Sequence, residues 1–183
     1  PENTQCGVVV LGNFDGVHRG HQIVLQKARD LARDESLPFG VMSFEPHPRA
    51  FFAPDKNLFR LSPPNIKPLL MEALGADYFQ IYEFDKAFSS LSAREFVKKT
   101  LIDHLAVKRV VCGYDFHFGK GREGTPQLLS EFGEEFGFKV EIVPVQKSDQ
   151  QDRVYSSSSI REDLRQGDVI SAAHDLGRWW AMR

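Results

Sequence analysis

The amino-acid sequence predicts an α/β protein whose core is a five-stranded parallel sheet with helices on both faces. Short apolar runs rich in β-branched residues alternate with amphipathic stretches, and this alternation is typical of βαβ units. The 183 residues are 42% hydrophobic and 26% charged, which is the balance of a soluble globular protein. We therefore expect one domain over residues 1–183, with a ligand crevice at the carboxyl ends of the strands.

The first third of the chain predicts two strands around one helix. An apolar run, residues 8–11, is the first strand, and the glycine-rich turn 12–16 follows it. Apolar residues at helical spacing predict a helix over 18–34. A second strand, 39–44, ends at residues 45–48, where Pro46 and Pro48 exclude both a helix and an interior strand.

The middle of the chain begins with a predicted loop over 49–61. Ser62, followed by prolines, predicts a helix start, and Gly75 closes that helix after residue 74. A third strand is predicted at 78–82. Residues 92–95 have the form of a capping box, and an apolar stripe continues behind it to residue 105.

The last elements complete the sheet and add two helices. Strands are predicted at 107–112 and 139–145, separated by a glycine-rich loop and a helix over 125–136. A polar segment, 146–152, is expected to be mobile. Two short helices follow, 160–166 and 168–176, and one of Ser157 to Ser159 is expected to cap the first of them.

Charge and cysteine content exclude several classes of protein. Basic side chains number 23 against 25 acidic ones, a net charge of −2, whereas nucleic-acid binding favours a basic surplus. No apolar run is long enough to cross a bilayer, and the first residues do not form a signal peptide. Cys6 and Cys112 share no metal-like or redox-like spacing. We expect a cytoplasmic protein with no nucleic-acid or membrane partner, and Pro1 indicates a trimmed start or a fragment.

The densest chemical signal is the segment from Gly12 to His21, between the first strand and the first helix. Glycines let the backbone approach a phosphate, and a helix N-terminus offers it free N–H groups. His18 and His21 are three residues apart, so both project from one face of the first helical turn, where they could offset phosphate charge. The alternatives are a tight turn before a surface helix, or a zinc site, for which further ligands of suitable spacing are lacking nearby.

Three other segments carry candidate ligand contacts. Prolines hold the loop after the second strand rigid, so His47 and Arg49 could meet an anionic or planar ligand, although a structural turn with a surface histidine is equally consistent. Asp115 could bind a ribose hydroxyl, a ring nitrogen or a metal ion, or be an ordinary turn aspartate. Hydroxyls and N–H groups at the start of a helix, with Arg161 one turn in, suit a phosphate group, although serines there are also common helix caps.

The phenylalanines give a further hypothesis. The chain has 15 Phe against 4 Tyr and 2 Trp. Some of the phenylalanines fall in predicted loops, where they either pack beneath the loop or form the apolar wall of a ligand site. They are Phe51, Phe52, Phe59, Phe116 and Phe118.

Four motifs in order resemble a known enzyme family. The pattern Gly-x-Phe-Asp-Gly-x-His-x-Gly-His at residues 12–21 resembles the signature of nucleotidylyltransferases. Phe-Glu-Pro-His-Pro-Arg at 44–49 is similar to a segment of the FMN adenylyltransferase module of bacterial bifunctional riboflavin kinase/FAD synthetases. The stretches 111–120 and 156–161 resemble two further elements of that module, with Ser158 in place of the usual Thr. The resemblance spans nearly the whole chain. The sequence departs from the family's pattern at Trp179-Trp180.

The resemblance implies a Rossmann-like nucleotidylyltransferase fold and the reaction of ATP with FMN to give FAD and pyrophosphate. It implies Mg²⁺ with ATP, assigns no residue to the metal, and implies a covalently linked riboflavin kinase module that this chain lacks. Catalytic roles fall on His18, His21 and Arg161. The implied ATP-binding residues are Gly12, Asn13, Phe14, Asp15, Gly16, Gly20, Ser157 and Ser158, and the implied flavin-binding residues are His47, Pro48, Arg49 and Asp115.

Two alternative functions stay open at this level. One is another nucleotidylyltransferase, acting on a pantetheine, nicotinate or alcohol phosphate, although the motifs at 44–49 and 111–120 would have no evident purpose there. The other is a non-catalytic flavin or nucleotide carrier, which would not need His18, His21 and Arg161 together.

Overall fold

The computed structural model describes residues 7–54, 59–148 and 153–180 and confirms the predicted fold class. One sheet of five parallel strands has the order β3-β2-β1-β4-β5. The strands are β1 (Val8–Leu11), β2 (Phe39–Glu45), β3 (Tyr78–Glu83), β4 (Arg109–Gly113) and β5 (Lys139–Val143).

Helical segments connect the strands and follow the last of them. The α-helices are α1 (Arg19–Glu35), α2 (Pro48–Phe52), α3 (Lys67–Ala73), α4 (Lys86–Ser89), α5 (Ala93–Phe96), α6 (Pro126–Phe136), α7 (Ser157–Gln166) and α8 (Val169–Leu176). A π-helical stretch, Val97–His104, continues α5, and a 3₁₀ turn, Lys120–Arg122, lies in the loop after β4.

Both faces of the sheet are covered by helices, as the apolar strands predict. Side chains alternate along β1, so that Val8 and Val10 pack against α1 and α3. Val9 and Leu11 face the opposite core, which contains α5, the π-helical stretch and α6. Strands buried on both faces read as continuous apolar runs, which is why β1 shows no polar alternation in the sequence.

The strand order creates a crevice beside β1. The chain moves from β1 outward to β2 and β3, then returns to the other side of β1 to form β4 and β5. In open parallel sheets, ligands bind outside the carboxyl ends of the strands at such a reversal. The turn after β1 and the loop after β4 therefore meet at the position where a ligand is expected.

Two expectations about prolines and caps are wrong in detail. Pro48 does not exclude a helix: it is the first residue of α2, where its missing N–H is not needed, and the His47 side chain accepts the Arg49 N–H at 3.1 Å. Ser62 does not begin a helix. Its buried hydroxyl instead accepts the Gly16 N–H at 3.2 Å, and α3 begins at Lys67.

The last helices and loops also differ slightly from prediction. The cap of α7 is Ser156, whose hydroxyl accepts the Ser159 N–H at 3.0 Å, so the helix already begins at Ser157. Strand β5 ends at Val143, because the next residue is a proline. The predicted loop 49–61 is wrong at its start, because residues 49–52 are helical as part of α2. Residues 55–58 of that loop, residues 149–152 of the predicted mobile segment 146–152, and Cys6 lie outside the described residues.

Candidate active site

A cavity of about 990 Å³ opens at the carboxyl ends of the strands and gathers residues from both halves of the chain. It lies at the large end of the range for small-molecule sites. The predicted site residues that line it are Gly12, Asn13, Phe14, Asp15, His18, Gly20, His21, His47, Pro48, Arg49, Asp115, Ser157, Ser158 and Arg161. Gly16, the last residue of the turn, is not among the lining residues; it has φ +88°, and Leu61 lies 2.9 Å from the position a Cβ would take.

The turn after β1 has a strained backbone. Phe14 and Val17 are buried, non-glycine residues with φ of +50° and +44°. Such conformations cost about 1–3 kcal/mol each and persist where surrounding packing enforces them. A Cβ on Gly12 would lie 2.7 Å from the Phe14 ring, so only glycine allows that ring to close over the turn. The strain and the close packing together indicate a preorganised ligand loop.

His18 and His21 form one unit at the start of α1. His18 caps the helix, since its Nδ1 accepts the His21 N–H at 3.3 Å, and the two rings stack with centroids 3.6 Å apart. Burial lowers the pKa of His18 to about 4, against the opposing effect of Asp175. Burial, and then the neighbouring His18 and Lys67, hold the pKa of His21 well below 6.5. Both imidazoles are therefore neutral at pH 7.

Two buried polar atoms beside these histidines have no hydrogen-bond partner among the described residues. They are Nδ1 of His21 and Oδ1 of Asn13, and both side chains line the cavity. Buried polar atoms in native proteins are nearly always paired, so an unpaired atom requires an explanation. A ligand in the cavity would supply partners for both.

Asp15 and Arg161 bind each other in the wall of the cavity. The Arg161 Nη2 lies 2.5 Å from Oδ2 of Asp15, and both side chains are about 95% or more buried. The same carboxylate accepts the N–H groups of Leu61 and Ser62 at 3.1 Å and 2.9 Å, and Nε of Arg161 donates to the Phe59 carbonyl at 2.7 Å. The pair thus joins the turn after β1, the segment before α3, and α7.

The N-terminus of α7 faces the cavity with three consecutive serines. Ser156 caps the helix, and the Ser157 hydroxyl donates to the Asp15 carbonyl at 2.8 Å. Ser158 is exposed, and its hydroxyl accepts from Nη1 of Arg49 at 3.3 Å. Arg49, predicted on the flavin side, therefore lies against a serine predicted on the phosphate side.

The start of α2 forms another part of the wall. His47 is buried, and burial followed by the positive charge of Arg60 lowers its pKa to about 4. Its Nδ1 is already occupied by the Arg49 N–H. Arg49 is exposed at the cavity and forms no ion pair with a carboxylate in the part of the chain that the structure describes.

A continuous series of aromatic contacts forms the apolar wall. Phe116 and Phe118 stack at 5.8 Å, Phe118 contacts Phe96, and Phe96 contacts Phe88 at 6.0 Å. The series continues through Phe84 to Phe52. Of the phenylalanines singled out in the sequence, Phe52, Phe116 and Phe118 line the cavity, whereas Phe51 and Phe59 do not.

Sequence reasoning missed Phe84 and Phe88 as lining residues. Phe84 directly follows β3. The rule that ligand-binding residues follow the carboxyl ends of strands could have found it. Phe88 lies in the four-residue α4, for which the sequence offers no comparable signal.

Asp115 is an exposed carboxylate on the cavity wall, in the loop after β4. Nowhere in the described part of the chain do three His, Cys, Asp or Glu side chains form a group that could hold a metal ion. The zinc interpretation of His18 and His21 therefore gains no further ligands there.

Within the residues that the structure describes, no helix is long and apolar enough to cross a membrane.

Comparisons with known proteins agree with the resemblance. A family model described as FAD synthetase matches residues 1–158. The bifunctional riboflavin kinase/FMN adenylyltransferase of Escherichia coli (strain K12) is 39% identical over 175 residues, which cover 96% of this chain and 55% of that protein. The Bacillus subtilis (strain 168) protein with the same name is 37% identical over 178 residues, covering 97% of this chain and 55% of its own length.

A solved structure described as a macrolide-efflux protein from Streptococcus pneumoniae has a TM-score of 0.84 and 31% identity, and covers 95% of this chain and 56% of that one. The chain thus spans about half the length of the curated relatives it matches. The family model covers most of the chain, including the turn after β1 and the start of α7. The chain therefore belongs to the FAD synthetase family.

Proposed function

We propose that this chain transfers the adenylyl group of ATP to the phosphate of FMN, giving FAD and pyrophosphate. One observation carries the proposal: a single cavity contains the glycine-rich turn after β1, the N-terminus of α7 and an aromatic wall. The turn and the helix N-terminus suit a polyphosphate, and the aromatic wall suits a planar ring system. The relatives' names support the same activity, and a linked riboflavin kinase module is proposed for the longer protein.

In this reaction a phosphate oxygen of FMN forms a bond to the α-phosphorus of ATP while the bond to the bridging oxygen breaks. Pyrophosphate leaves with that electron pair. The attacking oxygen is already ionised at neutral pH, so no strong general base is needed. Catalysis then depends on alignment of the two substrates and on stabilisation of the charge on the phosphates.

His18 and His21 are proposed to act at the α- and β-phosphates. Buried next to each other, they are neutral without ligand. A polyphosphate anion at the cavity would raise both pKa values, because an opposite charge favours the protonated form. Once His21 is protonated, its unpaired Nδ1 can donate to a phosphate oxygen. The unpaired Oδ1 of Asn13 only accepts, so a hydroxyl or amino group of the nucleotide would be its partner.

The β- and γ-phosphates are proposed to lie at the N-terminus of α7. Ser157 and Ser158 contribute hydroxyls and free N–H groups there. Arg161 contributes its positive charge, although its Nη2 and Nε already bind Asp15 and Phe59. Its effect on the phosphates is therefore proposed to be largely electrostatic.

The flavin is proposed to lie against the aromatic wall. Phe116, Phe118 and Phe88 supply the apolar surface, and Arg49 at the start of α2 supplies a cation for the FMN phosphate. His47 and Pro48 are proposed to shape that corner. The proximity of Arg49 to Ser158 supports the proposal, because the FMN phosphate must reach the phosphates of ATP.

Mg²⁺ is proposed to enter as part of the substrate, bound to the phosphates of ATP. Protein sites for this ion commonly use one or two carboxylates together with substrate phosphates and water. Asp115 is exposed at the cavity and so fits the role of such a ligand, whereas Asp15 is occupied by Arg161. The ion would supply charge neutralisation on the phosphates. We also propose that residues 1–183 are one domain of a cytoplasmic protein.

The direct test is to mix the chain with ATP, Mg²⁺ and FMN and to follow FAD and pyrophosphate by chromatography. We expect both products in equal amounts, and at least a hundredfold loss of kcat/KM in His21→Ala. His104→Ala, outside the cavity, is the matched control. Binding of FMN or ATP without FAD formation would indicate a carrier. Turnover with a pantetheine, nicotinate or alcohol phosphate in place of FMN would indicate another nucleotidylyltransferase.

A further inference from the structure

Two cationic side chains hold the turn after β1 from the side opposite the cavity. The first is Lys67, whose side chain is only 1% exposed and which does not line the cavity. Its Nζ donates to the Asn13 carbonyl at 3.1 Å and lies 2.8 Å from Glu45. The Ser43 hydroxyl donates to the same carbonyl at 3.2 Å. Contacts on the side opposite the cavity therefore determine the orientation of the peptide between Asn13 and Phe14.

The second cation is Arg178, in the segment after α8. Its Nη2 donates to the Gly16 carbonyl at 2.7 Å, and its Nη1 to the carbonyls of Val17 and Leu176 at 3.4 Å and 3.3 Å. The Gln22 side chain donates to the Val17 carbonyl at 2.8 Å. Arg178 forms no ion pair with a carboxylate among the described residues, and burial lowers its pKa. Within the described ranges, its positive charge is therefore held by backbone carbonyls alone.

These contacts determine where two N–H groups point. In a planar trans peptide, the carbonyl of one residue and the N–H of the next are directed oppositely. The Asn13 carbonyl points to Lys67 and the Val17 carbonyl to Gln22 and Arg178, so the N–H groups of Phe14 and His18 point away from these donors. Phe14 and His18 both line the cavity. Within residues 7–54, 59–148 and 153–180, no group accepts a hydrogen bond from either N–H.

Unpaired backbone N–H groups in a buried turn are rare, because each one forfeits the hydrogen bonds it had in water. The turn keeps two of them, at the cost of two residues with positive φ. This arrangement is understandable if an anion accepts both N–H groups, as anions do at backbone nests.

We propose that Lys67 and Arg178 are positioning residues for the adenylyl transfer proposed above. By binding the carbonyls of Asn13, Gly16 and Val17, they direct the N–H groups of Phe14 and His18 at the polyphosphate of ATP. Neither cation touches the substrate. This inference rests on the proposed function for its rate effect, but its effect on the two N–H groups is measurable without turnover.

The test uses the ¹⁵N-labelled chain, titrated with Mg²⁺-ATP alone, and five variants assayed for FAD formation. In the wild type, we expect the amide signals of Phe14 and His18 to shift as ATP binds. In Lys67→Met the Phe14 shift should be lost, and in Arg178→Met the His18 shift should be lost. Each loss should accompany a roughly tenfold to hundredfold lower kcat or higher KM for ATP, with the KM for FMN unchanged.

The controls separate this role from general destabilisation. Lys27→Met and Arg165→Met remove exposed cations of surface ion pairs and should leave both amide shifts and FAD formation as in the wild type. Arg178→Lys keeps the charge and should recover part of the lost activity. Lys67→Met leaves Glu45 paired with Arg60, so we expect this variant to fold. If it does not fold, the amide shift and FAD formation of Arg178→Met test the inference.

The outcomes distinguish the two proposals. Amide shifts in a wild-type chain that makes no FAD would support the inference and refute the proposed function. Two amides that do not respond to Mg²⁺-ATP would overturn the inference, whatever the FAD assay shows. Where the wild type makes FAD, an equal rate in Arg178→Met would also overturn it.

Discussion

Asp15→Asn tests whether this residue of the signature turn contacts ATP or supports the turn from within. The sequence motif assigns Asp15 to the ATP site, but its carboxylate is 99% buried and already accepts three kinds of donor. These donors are the N–H groups of Leu61 and Ser62, at 3.1 Å and 2.9 Å, and the guanidinium of Arg161 at 2.5 Å. We expect the substitution to act mainly on stability.

The magnitude follows from the buried charge that is left behind. Asparagine keeps one acceptor but removes the negative charge, so Arg161, which is 4% exposed, loses its counter-charge. Removing one partner of a buried ion pair costs about 3–5 kcal/mol. For a chain of this size, 1 kcal/mol corresponds to roughly 2–4 °C in Tm. The expected fall in Tm is therefore roughly 6–20 °C.

Differential scanning calorimetry with and without Mg²⁺-ATP provides the measurement. Asp103→Asn, which removes an exposed carboxylate from a surface ion pair, should change the free energy of unfolding by less than about 0.5 kcal/mol. Replacing both buried partners, in Asp15→Asn with Arg161→Met, should recover part of the loss because no unpaired charge remains. A Tm within about 2 °C of the wild type, combined with lost ATP affinity, would refute this reasoning.

Three further predictions concern pH, a helix cap and the core. The pKa of His18 is about 4 in the folded chain and 6.5 unfolded, so the unfolded state binds more protons between these values. The free energy of unfolding should therefore fall as pH drops from 6.5 to 4, by about 3 kcal/mol from this residue, and urea melts of His18→Gln should show a correspondingly smaller fall. Ser156→Ala should cost about 1 kcal/mol through loss of the α7 cap, whereas Ser158→Ala should cost under about 0.5 kcal/mol; equal losses in thermal melts would contradict the assignment of the cap. Leu101→Ala, at a fully buried position, should cost about 2–5 kcal/mol in urea unfolding against a near-neutral Lys98→Ala, and a loss under about 1 kcal/mol would contradict the packing of Leu101 in the core.

Elements with a strong local signal could be predicted from the sequence. The strand at residues 8–11 and its partner at 39–45 are apolar runs bounded by turn residues, and both appear at nearly the predicted bounds. The capping box predicted at Ser92 is present with both of its hydrogen bonds, and these join residues only three apart in the chain. Such features depend on neighbours in the chain, so the sequence contains all the information they need.

Features that depend on distant residues could not be predicted. Ser62 has the sequence context of a helix cap, yet its hydroxyl is taken by the N–H of Gly16, 46 residues away. Pro48 is equally compatible with a loop and with the first position of a helix. Only the packing of the surrounding chain decides between such alternatives, since the local energies differ by little.

The candidate site divides in the same way. By itself, the sequence determined the local positions of the residues predicted to carry the chemistry: His18 and His21 at one helix start, and the serines and Arg161 at another. Only the tertiary structure decided that Arg161 is bound to Asp15, that Phe84 and Phe88 complete the aromatic wall, and that Lys67 lies beneath the turn. The physical reason is that the spacing of residues within a motif depends on the local conformation of the backbone. The partners that hold that geometry come from distant elements, and the choice among them is made by burial and long-range hydrogen bonding.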